Sequence, residues 1–310
     1  MNVPVSISAA SKTSFLVLPS PPFNFETSAG MHSRFERSLP DVYENGVYMR
    51  VLHLSRKTVL VSVSSKGTIE EPRLRVEAHP RLLIQEIKLL RKLLGVMFAP
   101  SFDFDRFYAV AKKDRIVEKI VRELKGLRPV APPTLFEALV IATTEQQISL
   151  NAAIAIRSRL IQRYGESVVF GGKRFYAFPT PTALAKATPR RMRAVGLSMS
   201  KARYVIELSQ NVVIGKLNLE NLRELDDEKA IEELTKIKGV GRWTAEYALI
   251  RGMGRLNSLP ADDLGIQRAV SQTYFNGKKV SSKIVRRVLG RFAPYSGIAA
   301  FYLMYYLFWK

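Results

Sequence analysis

Two adjacent acids, Asp262 and Asp263, follow a proline and precede a predicted helix that starts near Gly265. An aspartate directly before a helix is a good N-cap, because its side-chain oxygen accepts a hydrogen bond from a free backbone N–H group. Capping uses one acid, so the other is available for acid–base or electrostatic chemistry. We assign Asp262 to the cap and Asp263 to the chemistry, although the residue types alone also allow the reverse.

A glycine-rich turn precedes the two acids. Around Gly239-Val240-Gly241 the pattern changes from helix to tight turn to helix, and Lys238 and Arg242 add positive charge. Glycines permit backbone angles that other residues avoid, and they let N–H groups at the start of a helix approach a phosphate. The pattern predicts a helix-hairpin-helix that contacts a DNA backbone without reading its sequence. Taken alone, the turn is also compatible with an ordinary helical corner that carries solvated lysines.

The composition favours an anionic partner. The 310 residues include 48 Lys and Arg against 27 Asp and Glu, which gives a net charge of +21. Such an excess of basic residues indicates nucleic acid as the partner, with an anionic membrane surface as the alternative. The chain has no cysteine, which excludes disulfides and cysteine-ligated metal sites, and its three histidines are far apart in sequence.

The elements that must position these residues fall into three parts. Residues 1–20 are rich in Ser, Pro and small residues, and we expect a flexible tail. Residues 21–105 contain two β-branched, nearly alternating runs (47–52 and 58–63) before a stretch with helical spacing, which predicts a small α+β domain. From residue 106 to 310 nearly every segment has helical periodicity. The expected fold class is therefore mainly α with an N-terminal α+β domain.

Targeting and membrane signals are not recognisable in the sequence. The N-terminus has no basic region before its apolar residues, so it does not match a signal peptide. The longest apolar run, Gly297–Trp309, is shorter than the roughly 20 residues needed to span a bilayer. We therefore expect no membrane partner and a location inside the cell, which would be cytoplasmic and nucleoid-associated in a prokaryote.

Several ordered motifs resemble those of the helix-hairpin-helix (HhH-GPD) DNA glycosylases, most closely the 3-methyladenine DNA glycosylase II type. The stretch IKGVGRWTAEYALIRG is followed by PADDLG, with Asp263 20 positions after Trp243. TLFEALVIATTEQQISLNAA and FPTPTALAKATPRRMRAVGLSMSKARYVIELS are also similar to family segments, and PPFNF near residue 23 is weakly so. The resemblance is strong over residues 126–310, and it implies a helical core of two subdomains with the active-site cleft between them.

The resemblance implies a monofunctional base-excision enzyme. A glycosylase flips a damaged base out of the duplex, and breaking the N-glycosidic bond builds positive charge on the sugar. Asp263 would stabilise that charge and orient water, and the substrates would be alkylated bases, with deaminated purines as a further class. Relatives that also cleave the strand carry a Schiff-base lysine where this chain has Trp243. The alternatives are an 8-oxoguanine-type or bifunctional glycosylase/lyase, and a non-catalytic DNA-binding protein.

The resemblance also assigns the base pocket and the residue that fills the gap left by the flipped nucleotide. Trp243 and Tyr247 would line the pocket, together with Met304 and Met31 where close relatives carry aromatic residues. Gln147 would enter the duplex, although a helix-corner amide that caps backbone groups is an alternative role. The residue before the Gln pair is Glu145 instead of the usual glycine, which places an acid near the expected DNA contact.

A cation site and the partners follow from the same resemblance. The backbone carbonyls of Thr235, Ile237 and Val240 match positions that hold Na⁺ or K⁺ in relatives, where the ion bridges the hairpin and a phosphate. No cofactor is expected for catalysis. The expected partner is double-stranded DNA that contains damaged bases, and we expect the protein to be a monomer.

Overall fold

A five-stranded antiparallel sheet forms most of the amino-terminal part of the molecule. The computed structural model describes residues 5–6, 11–31, 39–55, 57–98 and 103–308. The sheet has the strand order β2-β6-β5-β4-β3, and a second sheet has the order β1-β7-β8. The strands are β1 (Val5–Ser6), β2 (Thr13–Val17), β3 (Val42–Glu44), β4 (Val47–Leu54), β5 (Lys57–Ser65), β6 (Leu74–His79), β7 (Ser167–Phe170) and β8 (Lys173–Tyr176).

The two predicted strands are confirmed as β4 and β5, which pair antiparallel with Val51 opposite Leu60. The predicted tail at residues 1–20 is wrong where the structure describes it, because Thr13–Val17 forms strand β2 and pairs with β6. Alternate residues of β2 are partly buried, so its Thr-Ser-Phe-Leu-Val pattern suits the edge of a half-covered sheet. Residues 1–4 and 7–10 of the predicted tail lie outside the described residues.

Helices make up most of the chain after the sheet. Their bounds are α1 (Phe25–Gly30), α2 (Ile84–Phe98), α3 (Phe104–Ala111), α4 (Arg115–Glu123), α5 (Leu135–Glu145), α6 (Leu150–Tyr164), α7 (Pro181–Ala185), α8 (Pro189–Arg193), α9 (Met199–Val213), α10 (Asp227–Thr235), α11 (Arg242–Met253), α12 (Leu264–Tyr274), α13 (Ser282–Gly290) and α14 (Ser296–Phe308). Of the helices in the described part, none is both long and apolar enough to cross a membrane.

Polar side chains determine where several helices start. Thr134 caps α5 by accepting a hydrogen bond from the Glu137 N–H group at 3.2 Å, and Thr180 caps α7 in the same way, with Pro181 in its first turn. Asp226 caps α10, and a short 3₁₀ turn at residues 220–224 precedes it. The 3₁₀ turn and α10 therefore do not form one continuous helix, because Asp226 supplies a new N-cap between them.

The helical part contains two separate buried cores. One core is built around α5, α9, α10 and α11, and the other around α3, α4, α12, α13 and α14. Helix α2 packs on the five-stranded sheet, whereas Phe104 and Phe107 of α3 lie in the second helical core. The change from the sheet core to the helical cores thus falls before α3, slightly earlier than the expected boundary at 105.

A short hairpin interrupts the carboxyl-terminal helices. Strands β7 and β8 pair with the register Val168 to Phe175, and Gly171 and Gly172 form the turn with φ of +57° and +76°. The helical pattern does not predict this hairpin. It carries Ala177 into an isolated bridge with Val51 of β4, so it connects the helical part to the sheet.

Candidate active site

A large cleft of about 2110 Å³ lies between the two helical cores and extends to the sheet. Elements distant in sequence contribute to its walls, including α5, α11, α12 and α14. Every residue that the sequence assigns to catalysis and to the base pocket lies along this cleft. These residues are Met31, Trp243, Tyr247, Asp263 and Met304.

Asp263 caps α12, and the assignment of that role to Asp262 is wrong. The Asp263 Oδ1 atom accepts hydrogen bonds from the N–H groups of Gly265 at 2.8 Å and Ile266 at 3.0 Å. Helix α12 begins at Leu264, so Asp263 is the extended residue directly before it, while Asp262 is one position too early and exposed. Both cap bonds use Oδ1, which leaves the second carboxylate oxygen of Asp263 outside the cap.

The Asp263 carboxylate is held in a partly desolvated position. Burial raises its pKa, while the N–H groups of Ile266 and Gly265 and the indole N–H of Trp243 act in the opposite direction. A carboxylate in this setting is less hydrated than one on the surface, so it interacts more strongly with a cation placed beside it. The position suits electrostatic stabilisation of positive charge in the cleft.

Trp243 and Tyr247 form an aromatic wall. They lie one helical turn apart on α11, with ring centroids separated by 5.5 Å and planes inclined at 40°. Tyr247 is half-buried and also packs against the first helical core. Burial raises the pKa of its hydroxyl, and the nearby Glu145 carboxylate raises it further. The phenol thus stays protonated and can donate to an acceptor.

Met304 contacts the region of the capping acid because residue 265 is glycine. A Cβ atom on Gly265 would lie 2.9 Å from Met304 Cε and 3.0 Å from Asp263 Oδ1. Tyr302 and Tyr305, on either side of Met304 in α14, are buried, and their hydroxyls donate to the carbonyls of Leu127 and Thr27. Their aromatic rings therefore belong to the core.

The predicted hairpin connects α10 to α11. Gly239 has a φ of +85°, and a Cβ there would lie 2.2 Å from Tyr204 Cδ2, so both conformation and packing require glycine. Gly241 is the N-cap of α11, and a Cβ there would meet nothing within 4 Å. The room beside Gly241 leaves the start of α11 accessible to a ligand.

Gln146 supports the hairpin, a role that the sequence did not indicate. Its Nε2 atom donates to the Gly239 carbonyl and to Thr244 Oγ1, both at 2.9 Å. The amide thus connects the end of α5 to the hairpin turn. The Gln-Gln pair in the sequence indicated that an amide side chain acts at this turn. Only the packed structure distinguishes the inward Gln146 from the exposed Gln147.

The basic residues at the hairpin are paired with acids in this structure. Lys238 Nζ lies 3.6 Å from Glu207, and the Arg242 guanidinium contacts both Glu228 at 3.0 Å and Glu246 at 2.9 Å. The side chain of Lys238 and that of Arg242 are both about half exposed or more. A phosphate at the hairpin would compete with exposed carboxylates for these cations.

The turn between α5 and α6 presents Gln147 at the edge of the cleft. Gln147 is exposed and has a φ of +54°, which is uncommon for a residue with a side chain. Glu145 is directed inward, where its Oε1 atom pairs with Arg157 at 3.0 Å and both side chains are 14% exposed. This departure from the family pattern therefore places the acid inside the protein, near the hydroxyl of Tyr247.

A charged group joins the sheet to the floor of the cleft. Arg50 of β4 is buried and pairs with Asp41 at 2.7 Å and with the buried Glu137 of α5. Burial raises the pKa of Glu137, and Arg50 opposes the shift. The contact fixes the sheet against the helix that carries the Gln146–Gln147 turn.

Comparisons with known proteins agree with this geometry. A family profile described as "HhH-GPD superfamily base excision DNA repair protein" matches residues 140–294, half of the chain. The structure of a 3-methyladenine DNA glycosylase from Archaeoglobus fulgidus superimposes with a TM-score of 0.82 at 31% identity, and covers 94% of this chain and 98% of that one.

Two further relatives extend the comparison. A DNA-3-methyladenine glycosylase of Bacillus subtilis is 26% identical over 91% of this chain and 93% of its own length. The Schizosaccharomyces pombe 3-methyladenine DNA glycosylase in complex with abasic DNA has a TM-score of 0.56 at 28% identity, over 65% of this chain and 95% of that one. From the profile match, the shared architecture and the hairpin beside an acid-bearing cleft, the chain belongs to the HhH-GPD superfamily of base excision DNA repair proteins.

Proposed function

We propose that this protein is a monofunctional DNA glycosylase that hydrolyses the N-glycosidic bond of alkylated bases, with deaminated purines as a second substrate class. The observation that carries the proposal is the partly buried carboxylate of Asp263, which faces a cleft whose aromatic wall includes Trp243 and Tyr247. Family membership and relatives named as 3-methyladenine glycosylases support the reaction class.

The hairpin supplies the DNA contact in this mechanism. The N-terminus of α11 and the unobstructed Gly241 would receive a backbone phosphate, with Lys238 and Arg242 adding positive charge. Val240 and Gly239 form the turn that presents these N–H groups. Gln147, exposed at the neighbouring turn, would occupy the space that the flipped nucleotide leaves in the duplex.

The pocket residues would hold the flipped base, and Asp263 would act on its sugar. An alkylated purine that carries positive charge is attracted to the faces of Trp243 and Tyr247 by cation–π interaction. As the glycosidic bond breaks, positive charge develops on the sugar, and the Asp263 carboxylate stabilises it. The same carboxylate can orient the attacking water. Met304 and Met31 complete the wall with flexible, polarisable side chains.

The residues available as nucleophiles support a monofunctional reaction. Position 243 holds a tryptophan, and Lys201 is the lysine that lines the cleft within the described part of the chain. The Lys201 amine donates to the carbonyls of Thr144 and Gln146 and so holds the α5–α6 turn. Incubation with DNA and borohydride should leave no covalent adduct, and a trapped adduct would instead establish lyase chemistry.

A monovalent cation at the hairpin is part of this proposal. The carbonyls of Thr235, Ile237 and Val240 lie in the α10–α11 connection, and carbonyl oxygens suit such an ion. The Ile237 carbonyl accepts the Val240 N–H at 3.0 Å and has a second lone pair for a cation. The ion would add positive charge where the phosphate binds. DNA affinity in K⁺ or Na⁺ should exceed affinity in a bulky quaternary ammonium salt at equal ionic strength.

The variant Asp263→Asn tests the proposed function. Asparagine can still cap α12, so the fold and DNA binding should persist. The single-turnover rate of base release from a duplex with one 7-methylguanine should fall by about 100- to 1,000-fold or more, the usual loss for one electrostatic group. Unchanged release would exclude Asp263 as the catalytic carboxylate, and release by neither protein from any lesion would favour a non-catalytic DNA-binding role.

A further inference from the structure

A buried carboxylate outside the cleft connects the hairpin to the loop that carries the catalytic acid. Glu246 lies on α11 one turn after Arg242, and its side chain is 2% exposed. Its Oε1 atom accepts from Arg242 Nε at 2.9 Å, and its two oxygens accept from Arg286 of α13 at 2.9 and 3.0 Å. None of the roles assigned above uses this residue.

The same residue holds the start of the loop that leads to Asp263. The other nitrogen of Arg286, Nη1, donates to the Leu259 carbonyl at 3.2 Å. The hydroxyl of Ser258 donates to the backbone carbonyl of Glu246 at 3.0 Å. Ser258 is thus attached to the backbone of Glu246, and Leu259 to Arg286, the partner of the Glu246 side chain. The two residues lie four to five positions before Asp263.

The exposed side of Arg242 provides the connection to DNA. Its terminal nitrogens pair with Glu228, whose side chain is 74% exposed, while Nε stays with the buried Glu246. A backbone phosphate can therefore replace Glu228 on the outer edge of the guanidinium without displacing Glu246. A planar guanidinium with several donors can hold both partners at once.

We propose that Glu246 is a positioning residue that couples the hairpin's contact with the DNA backbone to the placement of Asp263. A phosphate bound by Arg242 fixes that side chain, and Glu246 holds Arg242 and Arg286 in a constant relative position. Arg286 in turn fixes the loop that begins at Leu259. The inference rests on the proposed glycosylase function. Its consequence is that the network affects the chemical step more than the binding of DNA.

The test uses the full-length protein and two variants, Glu246→Gln and Arg286→Met. For each, the single-turnover release of 7-methylguanine is compared with the Kd for a duplex containing an abasic-site analogue. We expect the rate to fall by about 10- to 100-fold, the scale of loss when a catalytic group is displaced by about 1 Å, with the Kd unchanged within about threefold. The double variant should lose no more than the larger single loss, because both residues act through one contact.

Glu118→Gln is the matched control, because Glu118 pairs with an arginine one helical turn away, Arg122 at 3.1 Å, and neither residue belongs to the hairpin or the loop. Its release rate should equal that of the unmodified protein. If Glu246→Gln does not fold, Arg286→Met decides the outcome, since Arg286 is partly exposed.

Four results would overturn the inference. Unchanged release by the two variants means that the network does not position Asp263. A parallel loss of release rate and DNA affinity means that the contacts only stabilise the fold. The same conclusion follows if a variant releases base at the normal rate when it is assayed well below its own melting temperature. Absence of release by the unmodified protein from any lesion overturns the proposed function itself, and this inference with it.

Discussion

The indole N–H of Trp243 on α11 acts on the carboxylate of Asp263, which caps the start of α12, although the two residues are 20 positions apart in sequence. The interaction lowers the pKa of an acid whose burial raises it. One residue thus belongs to the aromatic wall by its ring and acts on the Asp263 carboxylate by its N–H. In the proposed function, binding of the base and ionisation of the carboxylate are therefore linked through a single side chain.

Replacement of Trp243 by phenylalanine separates these two roles, because the ring remains and the N–H is lost. The base-release rate should fall by about tenfold, which corresponds to about 1.4 kcal/mol and to one hydrogen bond to a charged group. The acid side of the pH–rate profile should also move to higher pH, since one group that favours the ionised Asp263 is removed. An unchanged profile would show that the indole N–H does not act on this carboxylate.

The raised pKa of Asp263 also predicts a pH dependence. The reaction needs the carboxylate, so the release rate should fall with decreasing pH from a higher pH than for an exposed aspartate, whose pKa is about 3.9. The free energy of unfolding depends on pH in the opposite direction. A carboxyl whose pKa is higher in the folded state binds its proton more tightly there, so ionisation of Asp263 as the pH rises costs stability.

Asp263→Asn should consequently be at least as resistant to urea as the unmodified protein at pH 7, although its base-release rate is strongly reduced. Denaturation at pH 7 and at pH 4 measures the difference, which should be smaller at pH 4. A variant that is clearly less stable at pH 7 would show that the ionised carboxylate stabilises the fold.

The two hairpin glycines should respond differently to alanine. Gly239→Ala places a Cβ 2.2 Å from Tyr204 in a left-handed conformation, so we expect a loss of about 1–3 kcal/mol in the free energy of unfolding. Gly241→Ala meets no protein atom within 4 Å and has a negative φ, so stability should be retained. Its DNA affinity should fall, because the methyl group would stand where a phosphate approaches.

Urea denaturation and fluorescence anisotropy with an abasic-analogue duplex distinguish these outcomes. Full DNA affinity in a folded Gly241→Ala protein would exclude close approach of a phosphate at that position.

The buried ion pair between sheet and helix predicts a stability effect. Arg50→Met leaves Asp41 and the buried Glu137 without their shared cation, and should cost about 3–5 kcal/mol of unfolding free energy. Lys173→Met removes the exposed partner of Glu44, a pair that joins strands of the two sheets, and should cost at most about 1 kcal/mol. Similar urea midpoints for the two variants would contradict the importance of the buried pair.

Local sequence patterns predicted much of the fold because their contacts are between near neighbours. Thr134 and Thr180 start helices, and the alternation at 47–52 and 58–63 forms strands, since capping and period-two burial depend on a few adjacent residues. Strand β2 was missed because an edge strand of five residues is defined by its partner β6, 57 to 65 positions away.

For the site, the sequence by itself determined the hairpin, its glycines, its distance to the acid pair and the aromatic residues on α11. Tertiary structure decided which acid caps α12, since that depends on whether the helix begins at Leu264 or one residue earlier. It also decided that Glu145 turns inward and that Gln146 supports the hairpin. Side-chain direction at a turn follows from backbone angles and from burial against distant segments, and these exist only once the chain is packed.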